Sequence, residues 1–96
     1  TPIVQKFRDK YDVEPTKISV KNMKSRWGSC SAKGSISINS KLIQTPIRCI
    51  EYVMVHELCH LIHFNHSKNF YSLLAEVMPD WNDRKNELRT ILPYGC

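Results

Sequence analysis

No stretch of this sequence stays apolar for the roughly 20 residues that a helix needs to cross a bilayer, and no secretory signal stands at its start. A membrane role is not expected. No C-x-x-C pair is present: none of the four cysteines, Cys30, Cys49, Cys59 and Cys96, falls in one, which argues against zinc ribbons and thioredoxin-type redox motifs. Cys49 and Cys59 are predicted to share one helix, too far apart along its axis to bond. Reduced thiols and a cytoplasmic location are therefore expected. Acidic residues are outnumbered, nine against fourteen Lys and Arg, giving a formal charge of +5. The basic side chains are scattered, densest from Lys17 to Lys33. They read first as a solvated surface and second as a contact for nucleic acid or an acidic partner.

What is present suits one globular domain. Ninety-six residues can bury a single modest core, and a bound metal that ties helices together would support so small a scaffold. A monomer is expected. The chain opens on Thr1 rather than Met, and is expected to be the C-terminal part of a longer protein.

Periodicity predicts the elements. Thr1-Pro2 is a helix-start signature, and Ile3, Val4, Phe7 and Tyr11 recur at helical spacing. Lys17 to Met23 alternates, with Ile18 and Val20 on one side, as a half-buried strand does. Ser25 to Gly34, rich in Ser and Gly, is predicted to be a turn or irregular. Ser35 to Asn39 alternates again, so a short β-ribbon joined by a loop is expected. Thr45-Pro46 repeats the helix-start signature, and the apolar stripe Ile47, Ile50, Val53, Met54, Leu58 and Leu61 runs on until Phe64-Asn65. Ser67 is a good N-cap for a third helix through Phe70, Leu73, Leu74, Val77 and Met78, and Pro79-Asp80 separates it from a last helix ending near Ile91. The order α-β-β-α-α-α predicts an α+β domain.

The chemistry is concentrated in His56-Glu57-Leu58-Cys59-His60, an H-E-x-x-H motif inside the predicted central helix. Positions i and i+4 project from one helix face, so two imidazoles can bind one zinc ion, and the glutamate beside the first can reach a metal-bound water. Zinc lowers the pKa of that water towards about 7, and the glutamate takes its proton. Peptide-bond hydrolysis through water activated by Glu57 follows. A catalytic zinc needs a third protein ligand. His66, six residues after His60, is the leading choice: a turn at Phe64-Asn65 would fold it back towards the metal, and Asn suits such a turn. His63, one helical turn too far along the axis, and Glu76, on a downstream helix, are the competing donors. Cys59, within the motif, is read as a small buried residue.

Three further stretches make the pattern more specific. They are Arg26-Trp27-Gly28-Ser29-Cys30-Ser31 followed by Gly34-Ser35-Ile36-Ser37-Ile38-Asn39, then Tyr52-Val53-Met54-Val55 leading into the motif, and Asn65-His66-Ser67-Lys68-Asn69-Phe70-Tyr71 followed by Pro79-Asp80-Trp81. With these, the chain resembles the YgjP-like metallopeptidase family of the zincin group; Tyr71 stands where that family often has Trp. The resemblance implies a small zincin-like domain with an N-terminal helix, a short sheet, an active-site helix and two C-terminal helices. It implies a Zn2+ cofactor, with His56, His60 and His66 as ligands and Glu57 as base, and it implies further sequence before Thr1.

Zincin folds place an edge strand above the cleft, where a peptide or protein substrate adds as a further strand. Arg26, Trp27 and Tyr71 are the candidate substrate-binding residues, with Arg26 and Tyr71 also candidates for stabilising the oxyanion. Trp27 is equally placed as core, and Asn39 is expected to satisfy backbone groups. The alternative to an enzyme is a zinc-stabilised basic binding module for nucleic acid or a protein partner, without hydrolysis. A latent enzyme, blocked by the tail from Leu92 to Cys96, is the third possibility.

Overall fold

A computed structural model of the chain describes residues 2–93. In chain order the elements are α1 (Pro2–Tyr11), β1 (Lys17–Lys21), β2 (Gly28–Cys30), β3 (Ser35–Asn39), a 3-10 turn (Ser40–Gln44), α2 (Ile47–Cys59), α3 (Lys68–Val77) and α4 (Trp81–Ile91). The part of the first helix start that falls on Thr1 lies outside the described residues, as does Cys96.

The motif helix α2 is the hub. Cys49, Tyr52, Val53, Val55, His56, Glu57, Leu58 and Cys59 are all buried, which is more than one stripe. The helix therefore needs cover on several sides, and α1, α3, α4, β2 and β3 all pack on it. Phe7 from α1, Trp27 and Ile36 from the sheet side, Phe70 and Leu74 from α3 and Leu88 from α4 complete the core around Leu58. Burying one such side chain contributes about 1.5–3 kcal/mol, so α2 is held by its surroundings rather than by its own helix propensity. Arg84 of α4 adds polar ties, bonding Asp80, Glu51 and the Arg48 carbonyl.

The sheet differs from the expected ribbon. Its order is β1-β3-β2, with β1 parallel to β3 (Ile18 opposite Ile36) and β2 antiparallel to β3 (Gly28 opposite Ile38). The Ser/Gly-rich stretch predicted as irregular thus contains a strand and its hairpin turn, closed by Gly34 N–H to the Ser31 carbonyl at 3.0 Å, with Gly34 at φ 88°. Gly28 is required by proximity. A Cβ there would lie 2.8 Å from the Ser37 carbonyl oxygen and 3.3 Å from Glu57 Oε2. Nor is β1 half-buried. Val20 is 70% exposed, because β1 is an edge strand and the α2 layer packs on β2 and β3.

Capping also corrects one boundary and supports another. Thr45 does not cap α2: its hydroxyl donates back to the Leu42 carbonyl at 2.7 Å, sealing the 3-10 turn, and Pro46 stands at the helix entrance. Ser67 does cap α3, accepting from Phe70 N–H at 3.3 Å. The predicted run of α2 to Phe64 ends earlier, at Cys59, in a series of tight turns. Asn39 fixes the long β1–β2 link. Its side-chain amide donates to the carbonyls of Met23 (3.0 Å) and Arg26 (2.7 Å), and its oxygen accepts from Lys41 N–H at 3.0 Å.

Candidate metal centre

One face of α2 carries His56 and His60 with ring centroids 5.0 Å apart. After Cys59 the chain tightens, with Leu61, Ile62 and His63 N–H groups bonding back to Leu58 and Cys59. It then reverses through Asn65, whose carbonyl accepts from Ser67 N–H at 2.8 Å. The reversal returns His66 to the helix face: its Nε2 lies 3.2 Å from Nε2 of His56. One ring nitrogen from each of His56, His60 and His66 lies within 4.8 Å of the others.

This geometry fits a tetrahedral ion. At Zn–N bonds of 2.0–2.1 Å, two nitrogens on one tetrahedral centre sit about 3.3 Å apart. His60 Nδ1 faces the Phe64 carbonyl at 2.9 Å and the His63 carbonyl at 3.3 Å. Donating there puts its proton on Nδ1 and leaves the Nε2 lone pair for a metal, the usual way a ligand histidine is oriented. His56 is 2% exposed, and its Nδ1 is the one buried side-chain nitrogen or oxygen among the described residues without a hydrogen-bond partner.

The electrostatics favour ligand-competent imidazoles. Burial, then the neighbouring His60 and His66, lower the His56 pKa to about 3. Burial and then His66 also lower His60, against the two backbone carbonyls that raise it. Neutral rings at neutral pH are the form a metal binds. Glu57 lies under Gly28 of β2, and burial raises its carboxyl to about 8, with Arg26 pulling the other way. A cleft of about 170 Å³ opens here, lined by Arg26, Gly28, Ser29, Cys30, Glu57, His60, Phe64 and His66.

A family model for the YgjP-like metallopeptidase domain matches residues 1–91. The chain belongs to that family. Among solved structures it is similar to two metallopeptidase zymogens. One is abylysin of Pyrococcus abyssi, at 19% identity and TM-score 0.83, covering 98% of this chain and 95% of that one. The other is jannalysin of Methanocaldococcus jannaschii, at 21% identity and TM-score 0.76, covering 95% and 94%. These likenesses bear on the fold. A comparison with curated proteins gives no match.

Within this YgjP-like domain the predicted site residues separate. His56, His60 and His66 meet, and Glu57 and Arg26 line the same cleft. Trp27, for which core and substrate contact were equal readings, is placed in the core. It is 1% exposed, packs edge-on against Tyr52, and donates its indole N–H to the Leu92 carbonyl at 3.0 Å. A large flat ring beside the central helix buries more area in the core than at a rim. Tyr71 is exposed, with its ring 6.2 Å from that of His66 and 5.5 Å from Trp81. It is not among the residues that line the cleft. Of the competing donors, His63 contributes its carbonyl to His60, and Glu76 accepts from the Tyr11 hydroxyl at 3.0 Å. Neither joins the nitrogen cluster. Cys59 is fully buried, and burial and then Glu57 raise its thiol to about 12.

Phe70, placed by the sequence on the third helix with no part in the site, belongs beside it. It is buried, and its ring centroid lies 5.0 Å from His56, 4.6 Å from His60 and 5.0 Å from His66. All three histidine rings lean on this one side chain. An apolar residue at helical spacing carries no signal of such a role. Its position, three residues after the Ser67 cap and four after His66, was the one available hint.

No helix among the described residues is long and apolar enough to cross a membrane.

Proposed function

We propose that this chain is a zinc-dependent peptidase in which His56, His60 and His66 hold the ion and Glu57 is the general base. The observation that carries the reading is the 3.2 Å approach of the His56 and His66 Nε2 atoms beside a buried carboxylate in one cleft. Three imidazoles and an open side is the donor set of a catalytic rather than a structural zinc site.

When bound, such an ion acidifies a water and polarises the scissile carbonyl. The protein supplies the rest. Glu57, held under β2, takes the proton of the attacking water and passes it to the leaving amine. Arg26, at the cleft and close enough to act on the Glu57 charge, is positioned to stabilise negative charge that develops on the substrate oxygen. The ligands are held by α2 and by the capped start of α3, so the site is organised before substrate arrives. One edge of β2 pairs with β3. Its residues Gly28 to Cys30 also border the cleft, where an extended peptide can add as a strand.

The test is a zinc titration paired with a hydrolysis assay on an unfolded protein substrate. The wild type should take up about one zinc per chain and lose activity to a chelator. Glu57→Gln should bind zinc and cleave nothing, whereas His66→Ala should lose both. Normal cleavage by the Glu57→Gln variant removes the general-base assignment.

A further inference from the structure

A second, larger space lies next to the cleft. A cavity of about 560 Å³ is bounded by the α1–β1 link (Asp12, Val13, Glu14, Thr16), the β2–β3 turn (Ser31 to Gly34) and the end of the motif segment (His60, Leu61, Ile62, Phe64). His60 and Phe64 line both spaces. Anything occupying the larger one therefore lies against a proposed metal ligand. Its volume is in the range of sites that hold a ligand group.

We propose that this cavity is a substrate side-chain subsite, and that it selects a long cationic residue, lysine or arginine, close to the bond that is cut. The inference rests on the peptidase reading above and adds its substrate class. Val13, Ala32, Leu61, Ile62 and Phe64 give the cavity an apolar lining suited to the methylene stem of such a side chain. Asp12 and Glu14 contribute carboxylates to the same lining. Glu14 is engaged only loosely, by an exposed Arg8 at 3.8 Å, a pairing that a better-placed cation displaces readily. Asp12 forms no ion pair among the described residues; it sits at φ 56°, just past the C-terminus of α1. The negative end of that helix adds to the attraction for a cation. Lys33 also lines the cavity and opposes it, and Arg8 opposes it from beside Glu14, so the preference depends on the bound cation displacing Arg8. On a chain of net charge +5 this acidic hollow runs against the overall field, so its preference is local and acts on a side chain already docked.

The experiment compares peptides that differ only in arginine or norleucine at positions flanking the cleaved bond. The zinc-loaded wild type should favour arginine at one of those positions by about five- to tenfold in kcat/KM, as two partly exposed charge pairs allow. In the double variant Asp12→Asn, Glu14→Gln that ratio should fall to about one. Asn tolerates the left-handed backbone at position 12, so the turn survives; Asp12→Asn with Glu14→Lys should push the ratio below one. Binding is read separately from amide chemical shifts of zinc-loaded Glu57→Gln protein titrated with the same peptides. Arginine-dependent shifts at residues 12–14 and 31–34 with no cleavage by wild type would leave the subsite standing and sink the hydrolytic reading. Cleavage with no arginine preference, a preference that survives the double variant, or equal shifts with both peptides would overturn the subsite.

Discussion

Phe70 decides how firmly the three imidazoles are held, because each of them packs on its ring. Phe70→Ala removes a buried aromatic and should destabilise the fold by about 3–5 kcal/mol. Phe70→Leu keeps most of the volume, so the stability loss should stay under about 1.5 kcal/mol, while the flat surface under His60 disappears. Zinc affinity should then drop about 10- to 100-fold, the usual effect of losing a group that orients ligands. Urea unfolding and competition against a zinc-binding dye separate the two effects, and unchanged affinity in Phe70→Leu would reduce the residue to ordinary core. Gly28 presents the opposite case, where adding atoms does the damage. A methyl group at position 28 meets a backbone carbonyl at 2.8 Å and the Glu57 carboxylate at 3.3 Å. Gly28→Ala should therefore lower hydrolysis by at least about tenfold, the effect of misplacing a reacting group, with zinc uptake retained.

At the scale of elements, the link from β1 to β2 depends on one side chain. Asn39 is 1% exposed and holds the carbonyls of Met23 and Arg26. Asn39→Ala strands both, which should destabilise by about 1–3 kcal/mol. Freed from this tether, Arg26 should contribute less to turnover, seen as a lower kcat at unchanged zinc content. The structural role of Asn39 was legible in sequence, as were the four helices, the Ser67 cap and the fold-back of His66, since each is a local signal of periodicity, capping or turn chemistry. The sheet was not legible. Alternation at Ile18 and Val20 marks a strand but carries no information about the direction of its neighbour, and here the neighbour is parallel. β2 has three residues, Gly, Ser and Cys, too few and too small to show a period. The exposure of Val20 depends on which strands α2 covers, a property of the assembled layers. Trp27 was ambiguous for the same reason: its ring type fits core and cleft alike, and only the packed neighbours decide.

For the whole molecule, the metal site sets a conflict between folding and function that pH exposes. Without metal, His56 titrates near 3 in the folded state against 6.5 as a free side chain. Its neutral form is the one the fold accommodates, so the stability it leaves intact above 6.5 is lost as pH falls towards 3. Glu57 behaves inversely. Its folded value near 8 lies above the 4.5 of an unburied carboxyl, so stability is complete below 4.5 and is lost as pH rises towards 8. The metal-stripped protein should therefore be most stable on a plateau between 4.5 and 6.5, with an acid limb from His56 and an alkaline limb from Glu57. Thermal melts of chelator-treated protein across pH 3 to 8 measure both limbs. Glu57→Gln should erase the alkaline limb and leave the acid one. Restoring zinc should raise the melting temperature, because metal binding contributes directly to the folded state. An alkaline limb that persists in Glu57→Gln would mean that another group carries it, and that the buried carboxylate is not the strained element of this small fold.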